Sequence, residues 1–101
     1  MKSIKLANKT YNNSSLPYII AEIGVNHNNS LEEAKKMILS AKNGGATGVK
    51  FQTYKAEKIA AKDSPYYWDL KMEPSTNQYD FFKKWDHFSD KDYIESAKYA
   101  N

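Results

Sequence analysis

Three polar residues stand where short buried strands would ordinarily carry apolar side chains. They are Glu22 in "YIIAEIG" (18–24) and Lys50 and Gln52 in "GVKFQT" (48–53). Side chains alternate between the two faces of a strand. Val49 and Phe51 therefore share one face and Lys50 and Gln52 the other. In the first segment Ile19, Ala21 and Ile23 share one face, and Ile20 and Glu22 the other. If the segments are neighbours in a parallel sheet, the apolar faces pack under helices. The opposite faces then bring Glu22, Lys50 and Gln52 together near the C-terminal strand ends. A carboxylate, an ammonium and an amide at one strand end suit a polar, anionic ligand. The plainer reading is a Glu22–Lys50 ion pair that does no chemistry, but a buried pair is a weak device for stability because desolvation cancels much of the attraction. For Gln52 alone, a strand exposed on one face explains the residue equally well.

Other candidates are less specific. His27, in "VNHNN", is a candidate ligand or substrate contact, although a lone loop histidine is more often solvated. The glycines of "NGGATG" (43–48) follow a helical pattern and precede a strand, whereas phosphate-binding loops lead from a strand into a helix; they read as a helix C-cap and turn. Tyr66, Tyr67 and Trp68 suit either a lid over a sugar or the packing of a loop onto the fold.

The elements that must position these residues follow from local signals. Residues 3–6 and 9–11 predict a small hairpin around Ala7-Asn8. Isoleucine-rich 18–24, bounded by Pro17 and Gly24, predicts a strand. Ser30 with Glu33 forms a capping-box pattern, and Leu31, Ala34, Met37, Ile38 and Ala41 recur at helical spacing up to Gly44 or Gly45. Val49–Thr53 predicts a second strand. Strand, helix and strand in so short a span make a βαβ unit, with a parallel pair and a right-handed crossover. "YKAEKIAAK" holds a helical turn, "DSPYYWDLKMEPST" reads as a long loop, and 78–85 and 90–99 read as helices, the last capped by Ser89 with Asp92 three residues on.

Two parallel strands cannot close a sheet, and parallel sheets are normally covered on both faces. The expected fold is therefore the first part of a larger α/β domain, cut after its second helical layer. The inner residues at C-terminal strand ends are where α/β barrels and doubly wound sheets place their sites.

Composition narrows the class. The chain has 101 residues, 41% of them hydrophobic and 27% charged, which is globular. Cysteine is absent, excluding disulfides and a thiolate nucleophile. No apolar run approaches a membrane span and no apolar leader opens the chain, so a cytoplasmic protein with no membrane partner is expected. The formal charge is +3, all of the basic residues are lysine, and they are scattered among acids. A nucleic-acid reader would concentrate a basic face and favour arginine, so no nucleic-acid partner is expected.

With these residues placed, "AEIGVNHN" (21–28) and "GATGVKFQTYKAEK" (45–58), with the spacing between them, resemble the sialic acid synthase family of N-acetylneuraminate, legionaminate and pseudaminate synthases. The resemblance covers roughly residues 17 to 100. It implies that 1–101 is the N-terminal part of a (β/α)8 TIM barrel, an N-terminal hairpin plus about two βα units. The rest of the barrel and a C-terminal antifreeze-like domain would lie outside it. It implies a transferase condensing phosphoenolpyruvate with an N-acetylated aldose, N-acetylmannosamine or a 6-deoxy diacetamido hexose. The products are a nonulosonic acid and phosphate: C3 of phosphoenolpyruvate attacks the sugar aldehyde, water adds at C2, and phosphate leaves by C–O cleavage.

The resemblance also implies a divalent metal, manganese or magnesium, with ligands beyond these residues, and a homodimer at full length. Lys50 matches the lysine that contacts phosphoenolpyruvate, Glu22 a glutamate near the reacting carbons, and Gln52 a residue that hydrogen-bonds the sugar. Asn77 is the nearest candidate for a sugar-binding asparagine. Asn29 stands where the family usually has glycine, and asparagine tolerates left-handed backbone better than most residues. The alternatives are another phosphoenolpyruvate-condensing aldolase-like barrel or a non-catalytic sugar-phosphate-binding fragment. By itself the chain is expected to be inactive.

Overall fold

The structure, a computed structural model, describes residues 2–101. The chain opens with an antiparallel hairpin, β1 (Ile4–Leu6) and β2 (Lys9–Tyr11). Its two-residue turn puts Ala7 at φ +52°. A short loop leads to β3 (Ile20–Gly24), then α1 (Leu31–Asn43), then β4 (Gly48–Phe51). β3 and β4 pair in parallel, so 20–51 form the expected strand–helix–strand unit.

Local chemistry sets the bounds of α1. Ser30 is extended, and its Oγ accepts the N–H of Glu33 at 3.2 Å, satisfying one of the free donors of the first turn. The reciprocal half of the capping box is absent: the Glu33 carboxylate turns outward to Lys36. At the other end Gly45 takes φ +94°, which a side chain would resist, and its N–H closes back on Lys42 O. Ala34 and Ile38 are buried, and α1 packs against β3, β4 and the last helix.

Both strands are shorter than the sequence suggests. Tyr18 and Ile19 lie outside β3. Ile19 is clasped by Thr47, whose Oγ1 accepts the Ile19 N–H while its own N–H donates to Ile19 O, and this closes the sheet edge instead of extending the ladder. Ile19, expected on the buried face, is 53% exposed, because none of the described residues covers it. Gln52 and Thr53 lie beyond β4, although the Gln52 N–H still bonds Gly24 O at 3.1 Å. Glu22 stands opposite Lys50, but Gly24 opposite Phe51, so β3 carries one extra residue at Ile23. The irregularity buries the consecutive residues Ile23 and Gly24, breaking strict alternation.

After β4 come α2 (Ala56–Ile59), α3 (Gln78–Lys83) and α4 (Asp90–Ala100). The long loop between α2 and α3 is pinned by its own side chains. Trp68 Nε1 donates to Ser75 O, its ring packs on Phe81 with centroids 4.7 Å apart, and Gln78 Nε2 reaches Pro65 O. Trp68 thus packs the loop, while Tyr67 projects into solvent. α4 carries a complete capping box between Ser89 and Asp92. No helix among the described residues is long and apolar enough to cross a membrane. The described residues form a mixed α/β arrangement with two two-stranded sheets.

Candidate functional site

The parallel register places Glu22 and Lys50 side by side, and the bond between them forms: Lys50 Nζ lies 2.9 Å from Glu22 Oε2. The expected cost of burying this pair does not arise. The side chains are 60% and 56% exposed, because the face they share is uncovered in this chain. An ion pair so exposed contributes little to stability, typically about 0–1 kcal/mol, so it leaves Lys50 accessible to an anion.

Gln52 joins them through Gly24. Gly24 has φ +60° and no side chain; a Cβ there would stand 3.8 Å from Gln52 Oε1 and 3.8 Å from Glu22 Oε1. The amide and the carboxylate therefore flank one bare patch of backbone. The three residues singled out by alternation converge on one face at the C-terminal strand end. The irregularity at Ile23 leaves Gly24 buried between them.

His27 is placed differently from the expectation of a solvated loop residue. It is fully buried. Its ring lies 4.1 Å from that of Phe88 and 5.8 Å from that of Phe51, and its Nδ1 accepts the N–H of Asn29. That bond fixes the neutral ring as the tautomer protonated on Nε2, and Nε2 has no hydrogen-bond partner. Burial pushes its pKa below 6.5, with the Asp92 carboxylate pulling partly the other way. In this chain His27 is a wall behind β4 and offers no atom to a ligand, because Phe88 covers it.

Asn77 is the N-cap of α3. Its Oδ1 accepts the Asp80 N–H at 2.7 Å and its Nδ2 donates to Asp80 Oδ2. The amide offered as a sugar contact is thus engaged in starting a helix. Asn29 takes the left-handed conformation expected of it, φ +62°. Its side chain also clips two loops together, donating to Lys84 O at 2.8 Å and accepting the His87 N–H at 3.2 Å.

Sequence reasoning missed two groups. Tyr93, from α4, lays its ring edge-on to Phe51 and Phe88 and donates its hydroxyl to Gln52 O at 3.2 Å. Asp86 is a buried carboxylate that accepts the Ala56 N–H at 2.9 Å and so holds the start of α2, with Lys83 3.4 Å away. Burial pushes its pKa up, but the Ala56 N–H, Lys83 and His87 outweigh that and hold it below 3.8. No residue-type pattern marks either role, since both depend on contacts between separate elements.

These residues do not form a site for the divalent ion that the resemblance implies. Among the described residues no three His, Asp or Glu side chains converge to hold a metal.

The NeuB family profile matches residues 37–101, a span that contains Lys50, Gln52 and Asn77. The N,N'-diacetyllegionaminic acid synthase of Legionella pneumophila is 38% identical over 86 residues, 83% of this chain and 24% of that protein. The synthase of the same name from Campylobacter jejuni is 53% identical over 51 residues, 48% of this chain and 15% of that protein. The N-acetylneuraminate-9-phosphate synthase of Drosophila melanogaster is 63% identical over 35 residues, 35% of this chain and 9% of that protein. The chain thus spans a quarter or less of the length of these relatives, and by the profile match over most of its own length it belongs to the NeuB family.

Proposed function

We propose that this chain is the opening part of a (β/α)8 barrel that condenses phosphoenolpyruvate with an N-acetylated aldose to give a nonulosonic acid and phosphate. The observation that carries the reading is the convergence of Glu22, Lys50 and Gln52 on one open face at the C-terminal strand end. The names of its relatives, synthases of legionaminic acid and of N-acetylneuraminate 9-phosphate, support the class of product.

In this reading Lys50 exchanges its bond to Glu22 for the phosphate or carboxylate of phosphoenolpyruvate, acting as a point charge. Release of Glu22 by that exchange leaves its carboxylate free to orient the sugar hydroxyls or to accept a proton from the water that adds at C2. Gln52 hydrogen-bonds the sugar across the bare backbone of Gly24. The divalent metal is held by residues outside this segment, and no step above runs through it.

The test is phosphate release from phosphoenolpyruvate by the longest product of the gene, with manganese and N-acetylmannosamine, then with 6-deoxy diacetamido hexoses. Release with one of these sugars, abolished by Lys50→Ala in a protein that melts normally, is the expected result. No release with any of them sinks the reading. The 101-residue chain alone is expected to release none.

A further inference from the structure

Gln52 occupies an awkward place. Lys50 lies within β4 and is held by the strand ladder opposite Glu22. Gln52 is one residue past the end of β4, where the ladder no longer fixes it. Two bonds do so instead. Its N–H reaches back to Gly24 O at 3.1 Å, and its carbonyl accepts the hydroxyl of Tyr93 at 3.2 Å. The peptide is thus tied on one side to β3 and on the other to α4.

The Tyr93 ring is also held by packing. It meets Phe51 edge-on at 6.1 Å and Phe88 at 4.8 Å, and Phe88 in turn covers His27. Packing and hydrogen bond are therefore separable: the ring belongs to the core behind β4, and the hydroxyl acts on Gln52. We infer that Tyr93 is a positioning residue whose hydroxyl sets where the Gln52 amide stands beside Glu22, and so governs sugar binding separately from phosphoenolpyruvate binding. The inference rests on the reading above for what Gln52 holds. It concerns a residue on the opposite face of the strand, which never touches the ligand.

Tyr93→Phe keeps the ring and removes only the hydroxyl. In the longest product of the gene it is expected to raise KM for N-acetylmannosamine, or whichever diacetamido hexose supports turnover, about fivefold, the factor for losing one neutral hydrogen bond. KM for phosphoenolpyruvate should stay as in the parent, and the melting temperature should fall by no more than the loss of one neutral hydrogen bond, about 1 kcal/mol, allows. Tyr93→Leu, which removes the ring as well, should lower the melting temperature. Hydrogen exchange followed by mass spectrometry reads the positioning directly: the peptide spanning 49–54 should exchange faster in Tyr93→Phe, with the α1 peptide unchanged. Unchanged KM values, or both KM values rising together with a fall in melting temperature, overturn the inference. A parent that releases no phosphate defeats the functional reading instead. In that case the 49–54 peptide still decides on Tyr93: unaltered exchange overturns the positioning role, and faster exchange upholds it.

Discussion

The β3–β4 pair has two sides with opposite characters. One is packed: Ile23 is buried, and Phe51 and Phe88 close on His27, whose Nδ1 is bonded and whose Nε2 is sealed away without a partner. The other is open: Glu22 and Lys50 make a good ion pair with more than half of each side chain in solvent. The same short strands supply both sides. The packed side holds the molecule together within these 101 residues, whereas the open side gains little from its own contacts. The open face carries a carboxylate and an ammonium in register, with the Gln52 amide just beyond the strand end, and does little for the stability of the segment.

Substitutions should separate the sides sharply. Phe88→Ala removes the cover of His27 and a neighbour of both Phe51 and Tyr93, and should cost about 3–5 kcal/mol in denaturant unfolding; a loss below about 1 kcal/mol would break the comparison. Asp86→Ala leaves the Ala56 N–H buried without an acceptor and should cost about 2 kcal/mol, with the loosening confined to α2.

His27 makes the packed side sensitive to pH in a defined window. Its folded pKa lies below 6.5, so the unfolded chain binds the proton more readily. The stability this contributes is complete above pH 6.5 and declines as pH falls toward the folded pKa. Asp86 and Asp92, also held low, have ordinary values of 3.8. Glu57, held low by a backbone N–H and Lys83, and Glu73, held low by Lys84 and Ser75, have ordinary values of 4.5. Carboxylates therefore add to the slope as pH approaches those values, and the part just below pH 6.5 belongs to His27. His27→Gln should flatten that slope, and a slope unchanged by the substitution would place its origin elsewhere. Smallest of all, Lys50→Ala should change stability by about 0–1 kcal/mol, however large its effect on phosphate release.

Much of the scaffold was legible because its signals are local. Ser30, the Gly44-Gly45 pair and the Ser89–Asp92 box mark helix ends through bonds to residues three or four positions away. Alternation likewise sufficed to pair Glu22 with Lys50, while Gln52 reaches their side with the help of bonds to Gly24 and Tyr93 that alternation does not announce. What escaped depends on distant partners or on what is absent. His27 is buried by Phe88, from the far end of the chain, and no feature of "VNHNN" announces that. Ile19 is exposed because none of the described residues covers it. In α4 the apolar Ile94 faces solvent at 55% exposure while Ser96 is buried, its hydroxyl returned to Asp92 O. The capping role of Asn77 was readable but not read: an asparagine three residues before Asp80, at the head of "QYDFF", is an ordinary helix start.

The pinned loop has a spectroscopic consequence. The chain holds two tryptophans, Trp68 and Trp85, and both lie after β4, none in the strand–helix–strand unit. Intrinsic fluorescence therefore watches the Trp68–Phe81 stack and the turn after α3, whereas far-ultraviolet dichroism is weighted toward α1 and α4. Superimposable unfolding curves from the two probes would mean that the halves melt as one cooperative unit. An earlier fluorescence transition would show the loop detaching while the parallel pair, and the charged face it carries, stays intact.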